Sequence, residues 1–447
     1  MLAAHSSLPD GVFWSAPLPP DSDFTAEDPL ALDYLAQQVG LWLFPGFTTR
    51  TSRAQDYAVV LYGLHLADKA IHAYGYRSDD DTRTLLYERW ERFWALATLQ
   101  CRDGKLPRGD EDAMRGIRGA TRAWFPGTKP LPLDFPLISR QSELGGLGAY
   151  LTSLRAYGLL SPGSLRVAPA AHEIVAAFWS EPGERDWSHL YHAYALSALD
   201  LGAKTIPRSR GRLTLAGLGR RSRLSSLVRR ARRAQQERLW HALFLAARDG
   251  STLALAERVI AAHEDGVSAS EHILAGLLRG RWSGLSADTR NKVEVALAFG
   301  RLSRVLLGRF NRAYGYVHDH GWVADVDAVA EAAFPRQDAK ELQAACGAVL
   351  AARDGSRFSK LQYHGPGLIS LLSKLHASGP DDSLRHLLGF HHQVQRSRRG
   401  GGAWVREEQG KLVMKVAGYS GHASEPGFPP LKLNVIRRLL TDLGRIT

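Results

Sequence analysis

Apolar residues recur at three- and four-residue spacing in one segment after another, and that period leaves little but helix open to the chain. Leu32, Leu35, Ala36, Val39 and Leu43 make a first stripe, which ends at Phe44-Pro45-Gly46. Tyr57, Val60, Leu61, Leu64 and Ile71 make a second. Ser52 and Gln55 have the spacing of a capping box that would open it. A third carries Leu86, Trp90, Phe93, Trp94 and Ala97, so a helical bundle is expected over residues 31–125. The same period predicts helices at 240–247, 253–262, 293–307, 328–334, 341–352 and 433–443. Hydrophobic residues form 45% of the chain, enough for a real core, so disorder is not expected.

The expected fold class is mainly α, a multi-domain helical protein with a winged-helix-like α+β segment and a small C-terminal hairpin. Residues 1–30 are rich in Pro and Asp and read as irregular. Pro126, Pro130, Pro132 and Pro136 make a stiff connector and a candidate boundary. After it, Leu147, Tyr150, Leu151, Leu154 and Tyr157 share a helix face, with Gly158 in C-cap position. Residues 159–160, 161–163 and 165–167 read as strand, turn and strand, with a helix at 171–179. That order resembles the tail of a winged helix-turn-helix over 126–200, although generic α+β packing gives the same pattern. A basic loop and helix at 201–238, a helical domain at 239–378 and a C-terminal hairpin and helix at 379–447 complete the division. Gly400 to Gly402, followed by 403–405 and 411–416, suggest the glycine turn and hairpin. No fixed-period repeat is present.

The net charge of +12 is concentrated in one place. Residues 201–238 hold Lys204, Arg208, Arg210, Arg212, Arg220, Arg221, Arg223, Arg229, Arg230, Arg232, Arg233 and Arg238 against a single acid, Glu237, which is +11 of the total. Residues 204–219 contain Pro207, Gly211, Gly217 and Gly219 and read as loop. From Arg220 onward Leu224, Leu227, Val228, Ala231 and Ala234 repeat at helical spacing, so 220–238 is expected as one amphipathic helix with arginines outward. Such an element attracts polyanions, because each neutralised phosphate releases counterions and guanidinium grips phosphate through two donors. A lipid anchor would need bulky aromatics on the apolar face, which has leucine and small residues instead. Arg396, Arg398 and Arg399 form a second cluster, before glycines that would let backbone amides approach a phosphate.

The motifs of familiar chemistry are missing. Gly104-Lys105 and Gly410-Lys411 are each followed by leucine, not the hydroxyl residue a P-loop needs. No dinucleotide fingerprint follows a strand, and Gly418-Tyr419-Ser420-Gly421 is not a serine-hydrolase elbow. His318-Asp319-His320 offers imidazoles and a carboxylate, but no third metal ligand is identifiable and a solvated loop before Gly321 is the favoured reading. His263-Glu264-Asp265 with His272 misses the helical zinc spacing. His386, His391 and His392, beside Gln395 and Arg398, read as polar histidines at a helix end. No cofactor and no metal are expected. Cys101 and Cys346 are too few and too far apart for a disulfide framework and fit a reducing cytoplasm. Residues 1–7 lead into no apolar run, so no secretory signal is expected, and no apolar stretch is long enough for a membrane span.

Leu43-Phe44-Pro45-Gly46, Thr49 and Ser52-Arg53-Ala54 resemble the opening block of an uncharacterised bacterial family. Gly148 to Gly158 is similar to its second block, and His391-His392 through Trp404 to its third. The resemblance implies a gene from antiphage defence neighbourhoods, beside helicases or nucleases, and implies no activity. The expectation is a non-catalytic nucleic-acid-binding subunit of a bacterial defence assembly, cytoplasmic, with DNA a better candidate than RNA and a helicase or nuclease as protein partner. One alternative is a metal-dependent nuclease centred on the His386–Arg399 segment. Another is a scaffold that docks through its basic helix.

Overall fold

The computed structural model describes residues 27–101, 115–124, 131–179, 188–206, 231, 233–247, 250–282, 284–399 and 402–447. These are mainly helical. In chain order the helices are α1 (Leu32–Leu43), α2 (Ala54–Tyr74), α3 (Asp80–Cys101), α4 (Ile117–Ala123), α5 (Gln141–Leu144), α6 (Gly146–Ala156), α7 (His172–Ala176), α8 (Ser188–Ala198), α9 (Arg233–Trp240), α10 (Gly250–Glu264) and α11 (Ser270–Leu278). After them come α12 (Ala287–Asp319), α13 (Val326–Ala333), α14 (Ala339–Ala351), α15 (Gly365–Ala377), α16 (Pro380–Arg399) and α17 (Leu433–Asp442). The strands are β1 (Leu131–Pro132), β2 (Thr205–Ile206), β3 (Val323–Asp325), β4 (Val405–Glu408) and β5 (Lys411–Met414). Among the described residues no helix is long and apolar enough to cross a membrane. The chain divides into two compact units, both discontinuous in sequence: Phe44–Gly266 with Lys432–Thr447, and Met1–Leu43 with Val267–Leu431.

The first unit is built on α2 and α3, with α6, α7 and α8 packed against α2. Trp90 is fully buried and its indole N–H donates to the Val59 carbonyl at 3.0 Å. The ring can lie there only because Gly63 has no side chain; a Cβ at Gly63 would come within 2.1 Å of it. Tyr62, Phe93, Trp94, Phe178 and Trp179 surround the indole at ring distances of 5.3–6.5 Å. The expected capping box at Ser52 and Gln55 is not what opens α2. The amides of Ala54 and Gln55 donate instead to Asp442 Oδ2, at 2.6 and 3.3 Å, so a carboxylate from α17 supplies the cap. Gly158 does close α6 in a left-handed conformation, with φ of +66°. After it the residues expected as a two-stranded wing form a single bridge, Leu160 to Val167, and residues 169–176 make a 3₁₀ turn and the short α7. β1 and β2 pair antiparallel, Leu131 with Ile206.

In the second unit α12 is the central element, packed by α1, α11, α13 and α14. Ser286 caps it by accepting the Thr289 amide, and its apolar residues are buried along its length. Gly300, Gly308 and Gly315 lie two helical turns apart on one face. The chain from Tyr419 to Phe428 runs along that face in the opposite direction, as a strap. Phe428 occupies the space a Gly300 side chain would need, 2.2 Å from its Cβ position, and Pro426 and His422 lie over Gly308 and Gly315 at 3.7 and 3.5 Å. Asn311 ties the strap down: its amide donates to the carbonyls of Gly421 and Ser424, and its oxygen accepts the Tyr419 hydroxyl.

The C-terminal hairpin is present and turns at Gln409-Gly410, both at positive φ (+53° and +77°). It also gains a third strand, β3, so the sheet has the order β3-β5-β4, antiparallel, with Val323 opposite Val413 and Val405 opposite Met414.

Candidate nucleic-acid interface

Of the thirteen arginines singled out from the sequence, Arg208, Arg210, Arg212, Arg220, Arg221, Arg223, Arg229, Arg230 and Arg232 lie outside the described residues. Arg233 is exposed and is the first residue of α9. The helix expected over 220–238 is not continuous at its described end, because Ala231 is outside helical geometry and α9 starts only at Arg233. Ala231 does face inward, at 1% exposure. Arg396 is exposed on α16, and Arg398 and Arg399 form the end of that helix. Arg233 belongs to the α2 unit and Arg396 to the α12 unit.

Around Arg233 the structure has a cleft of about 640 Å³, lined by Glu173 and Ile174 of α7 and by Arg233, Glu237, Arg238 and His241 of α9 and the π-helical turn after it. Three of its charges are already paired. Arg238 is held by Glu173, and Glu237 accepts from Arg445 at 2.5 Å. Arg445 is itself fixed over the Trp240 ring, 4.9 Å from its centre. Among the described residues no ion pair holds Arg233, so the described end of the basic element presents a cation to solvent. Arg396 is in the same state.

The His386–Arg399 segment is the second part of the 20-residue α16 and runs to its end, as expected, but its two adjacent histidines differ completely. His392 is exposed, whereas His391 has no exposed surface. Its Nδ1–H donates to the Pro29 carbonyl at 2.8 Å, and its Nε2 accepts the Trp404 backbone N–H at 2.9 Å. Gln395, one turn on, donates to the same carbonyl at 3.2 Å. Phe310 and Trp404 pack on the imidazole at 4.8 and 5.0 Å. Burial pushes its pKa down to about 4, with His392 adding a smaller push the same way. Both nitrogens are spent on backbone groups, so His391 is a packing residue. The nuclease reading loses it as a metal ligand or general base.

His318-Asp319-His320 is not a loop either. His318 and Asp319 end α12, and His320 is its C-cap. The two histidines do not pair with each other. His320 stacks on Tyr316 at 3.9 Å, while His318 lies 4.8 Å from His422 of the strap. Among the described residues no three His, Cys, Asp or Glu side chains converge as a metal-ligand set.

Two polar groups in the α2 unit went unnoticed in the sequence. Tyr62 hydrogen-bonds His192 Nδ1 at 2.9 Å, with His65 beside both rings. Burial, with Lys69 close by, brings the His65 pKa to about 4. Glu91 is buried in α3 and accepts from the Gly146 amide at 2.5 Å and the Gln141 side chain at 2.8 Å. Burial raises its pKa to about 7. The glycine pair Gly145-Gly146 makes room for it, since a Cβ at either position would meet the carboxylate at 2.7–2.8 Å. A single apolar period cannot reveal these groups, because each sits within a stripe that reads as ordinary helix.

Comparison of the chain with protein-family models, curated proteins and solved structures finds no match.

Proposed function

We propose that the chain is a nucleic-acid-binding subunit without catalytic activity of its own, working in the bacterial cytoplasm as part of an antiphage defence assembly beside a helicase or nuclease. One observation carries this reading: twelve Lys and Arg against one acid between residues 201 and 238, in a chain whose remaining residues are nearly neutral. A polyanion rewards such crowding, because its affinity rises with each phosphate neutralised. The exposed Arg233, unpaired among the described residues, supports the same reading at the one end of the element where geometry is described. DNA is the preferred partner, and the helix, bridged turn and helix over 146–176 are the winged-helix-like contribution to holding it. Nothing in the basic element offers a base-reading module, so binding is of low sequence preference. The test is anisotropy of labelled single-stranded and duplex DNA against protein over a range of salt. Log affinity is expected to fall steeply and linearly with log salt. Salt-independent binding, or none, overturns the proposal.

A further inference from the structure

His318 and His422 are far apart in sequence, one at the end of α12 and one on the strap, yet their ring centres are 4.8 Å apart. Each ring has one nitrogen tied down. His318 Nδ1 bonds Asp319 Oδ1 at 3.0 Å, and His422 Nδ1 bonds the Tyr419 carbonyl. A carboxylate and a carbonyl only accept, so the proton is on Nδ1 in both rings. That leaves each Nε2 with a free lone pair when the imidazole is neutral. Both rings are partly exposed, and no hydrogen bond among the described residues engages either Nε2.

A metal-binding imidazole has this second-shell pattern, with its other nitrogen donating to a carboxylate or a backbone carbonyl. The spacing fits as well. An ion about 2.1 Å from each Nε2 lies about 3.2 Å from each ring centre, which puts two neighbouring ligand rings about 4.5–5.2 Å apart for right-angled to tetrahedral geometry. The observed 4.8 Å falls inside that interval. We propose that His318 and His422 hold a divalent ion of the zinc class through their Nε2 atoms, with Asp319 as the positioning carboxylate behind His318. Imidazole pairs favour zinc, copper or nickel over magnesium or calcium. With no third protein ligand converging among the described residues, the remaining coordination positions are open to water or to an anionic ligand. His320 is outside the site, since its Nδ1 is spent on the Tyr316 carbonyl and its ring lies on Tyr316.

Calorimetric titration of zinc chloride into the metal-stripped full-length protein tests this, with magnesium chloride as control. A saturable zinc event is expected in the wild type and in His320→Ala, and its loss in His318→Ala and His422→Ala. Asp319→Asn should weaken it about 10- to 100-fold, as for other second-shell carboxylates. Circular dichroism without metal checks that each variant is folded. Should His422→Ala unfold, the exposed Asp319 still decides the matter, because its replacement leaves the packing untouched. Zinc binding that survives His422→Ala in a folded protein, ignores Asp319→Asn, or is lost equally in His320→Ala overturns the site.

Discussion

His391 accepts the backbone N–H of Trp404 at 2.9 Å, with its opposite nitrogen donating to Pro29, so one neutral imidazole joins α16 to the chain before α1 and to the chain before β4. Protonation would place an N–H against an N–H. The folded pKa of about 4 lies below the ordinary value of 6.5, so the unfolded chain takes up this proton first. Its contribution to stability is therefore complete above pH 6.5 and is lost as pH falls towards 4, a change of about 3 kcal/mol. Urea midpoints measured across that range should fall with acid in the wild type and fall much less in His391→Asn. At neutral pH His391→Ala should cost about 2–5 kcal/mol, from an unmatched Trp404 amide and a cavity. A variant as stable as the wild type would show that these bonds are not made.

Glu91 predicts the opposite slope in the α2 unit. Its folded pKa of about 7 is above the ordinary 4.5. The folded protein holds this proton better than the unfolded chain, so its contribution is complete below pH 4.5 and disappears as pH rises through 7, again by about 3 kcal/mol. Glu91→Gln removes the titration, and wild type and variant should converge or cross as the solution is made alkaline. Gly146→Ala should destabilise at every pH, because the added carbon meets both Glu91 and the Tyr87 hydroxyl. Parallel pH profiles for wild type and Glu91→Gln would contradict this account.

Replacing Arg229, Arg230, Arg232 and Arg233 with glutamine should weaken nucleic-acid binding. The log–log salt slope on duplex DNA should become shallower by about 0.9 for each phosphate that is no longer neutralised. The melting temperature should stay level or rise slightly, since four like charges are removed from one short stretch. Unchanged affinity would make the most basic segment an ordinary solvated surface.

Phe428 and Gly300 should be coupled. Gly300→Ala forces the ring off α12 and is expected to cost about 1–3 kcal/mol. In a Phe428→Ala background the same substitution no longer meets that ring, so its cost should fall sharply. Additive losses would place the strap elsewhere.

Helix was legible because its signal is local. The stripes at Leu32 to Leu43 and Leu86 to Ala97 are the buried faces of α1 and α3. The expectation for α12 covered only 293–307 of Ala287–Asp319, although Phe310, Ala313, Tyr314 and Val317 continue its buried face towards the C-terminal end. β3 has no such signal, since its three residues pair with a strand some ninety positions later. The difference between His391 and His392 has no local signal at all: whichever of two adjacent histidines faces inward is decided by Pro29 and Trp404. For the same reason the partner of His318 could not be read from its own neighbourhood, where His320 is the obvious and wrong choice.

The cap on α2 gives the chain a clock. Asp442 is 388 positions downstream of the amide it receives, so a ribosome making 5–20 residues per second needs roughly 20–80 s between exposing that helix end and delivering its acceptor. Throughout that interval the two amides at the start of α2 lack this acceptor, even after α3, α6, α7 and α8 have been made. Stop codons or proteolytic cuts that remove only α17 would leave every residue of α2 in place and still return it to this unfinished condition. Truncated chains of this kind should therefore be chaperone clients, although they lack none of the residues of the aromatic core.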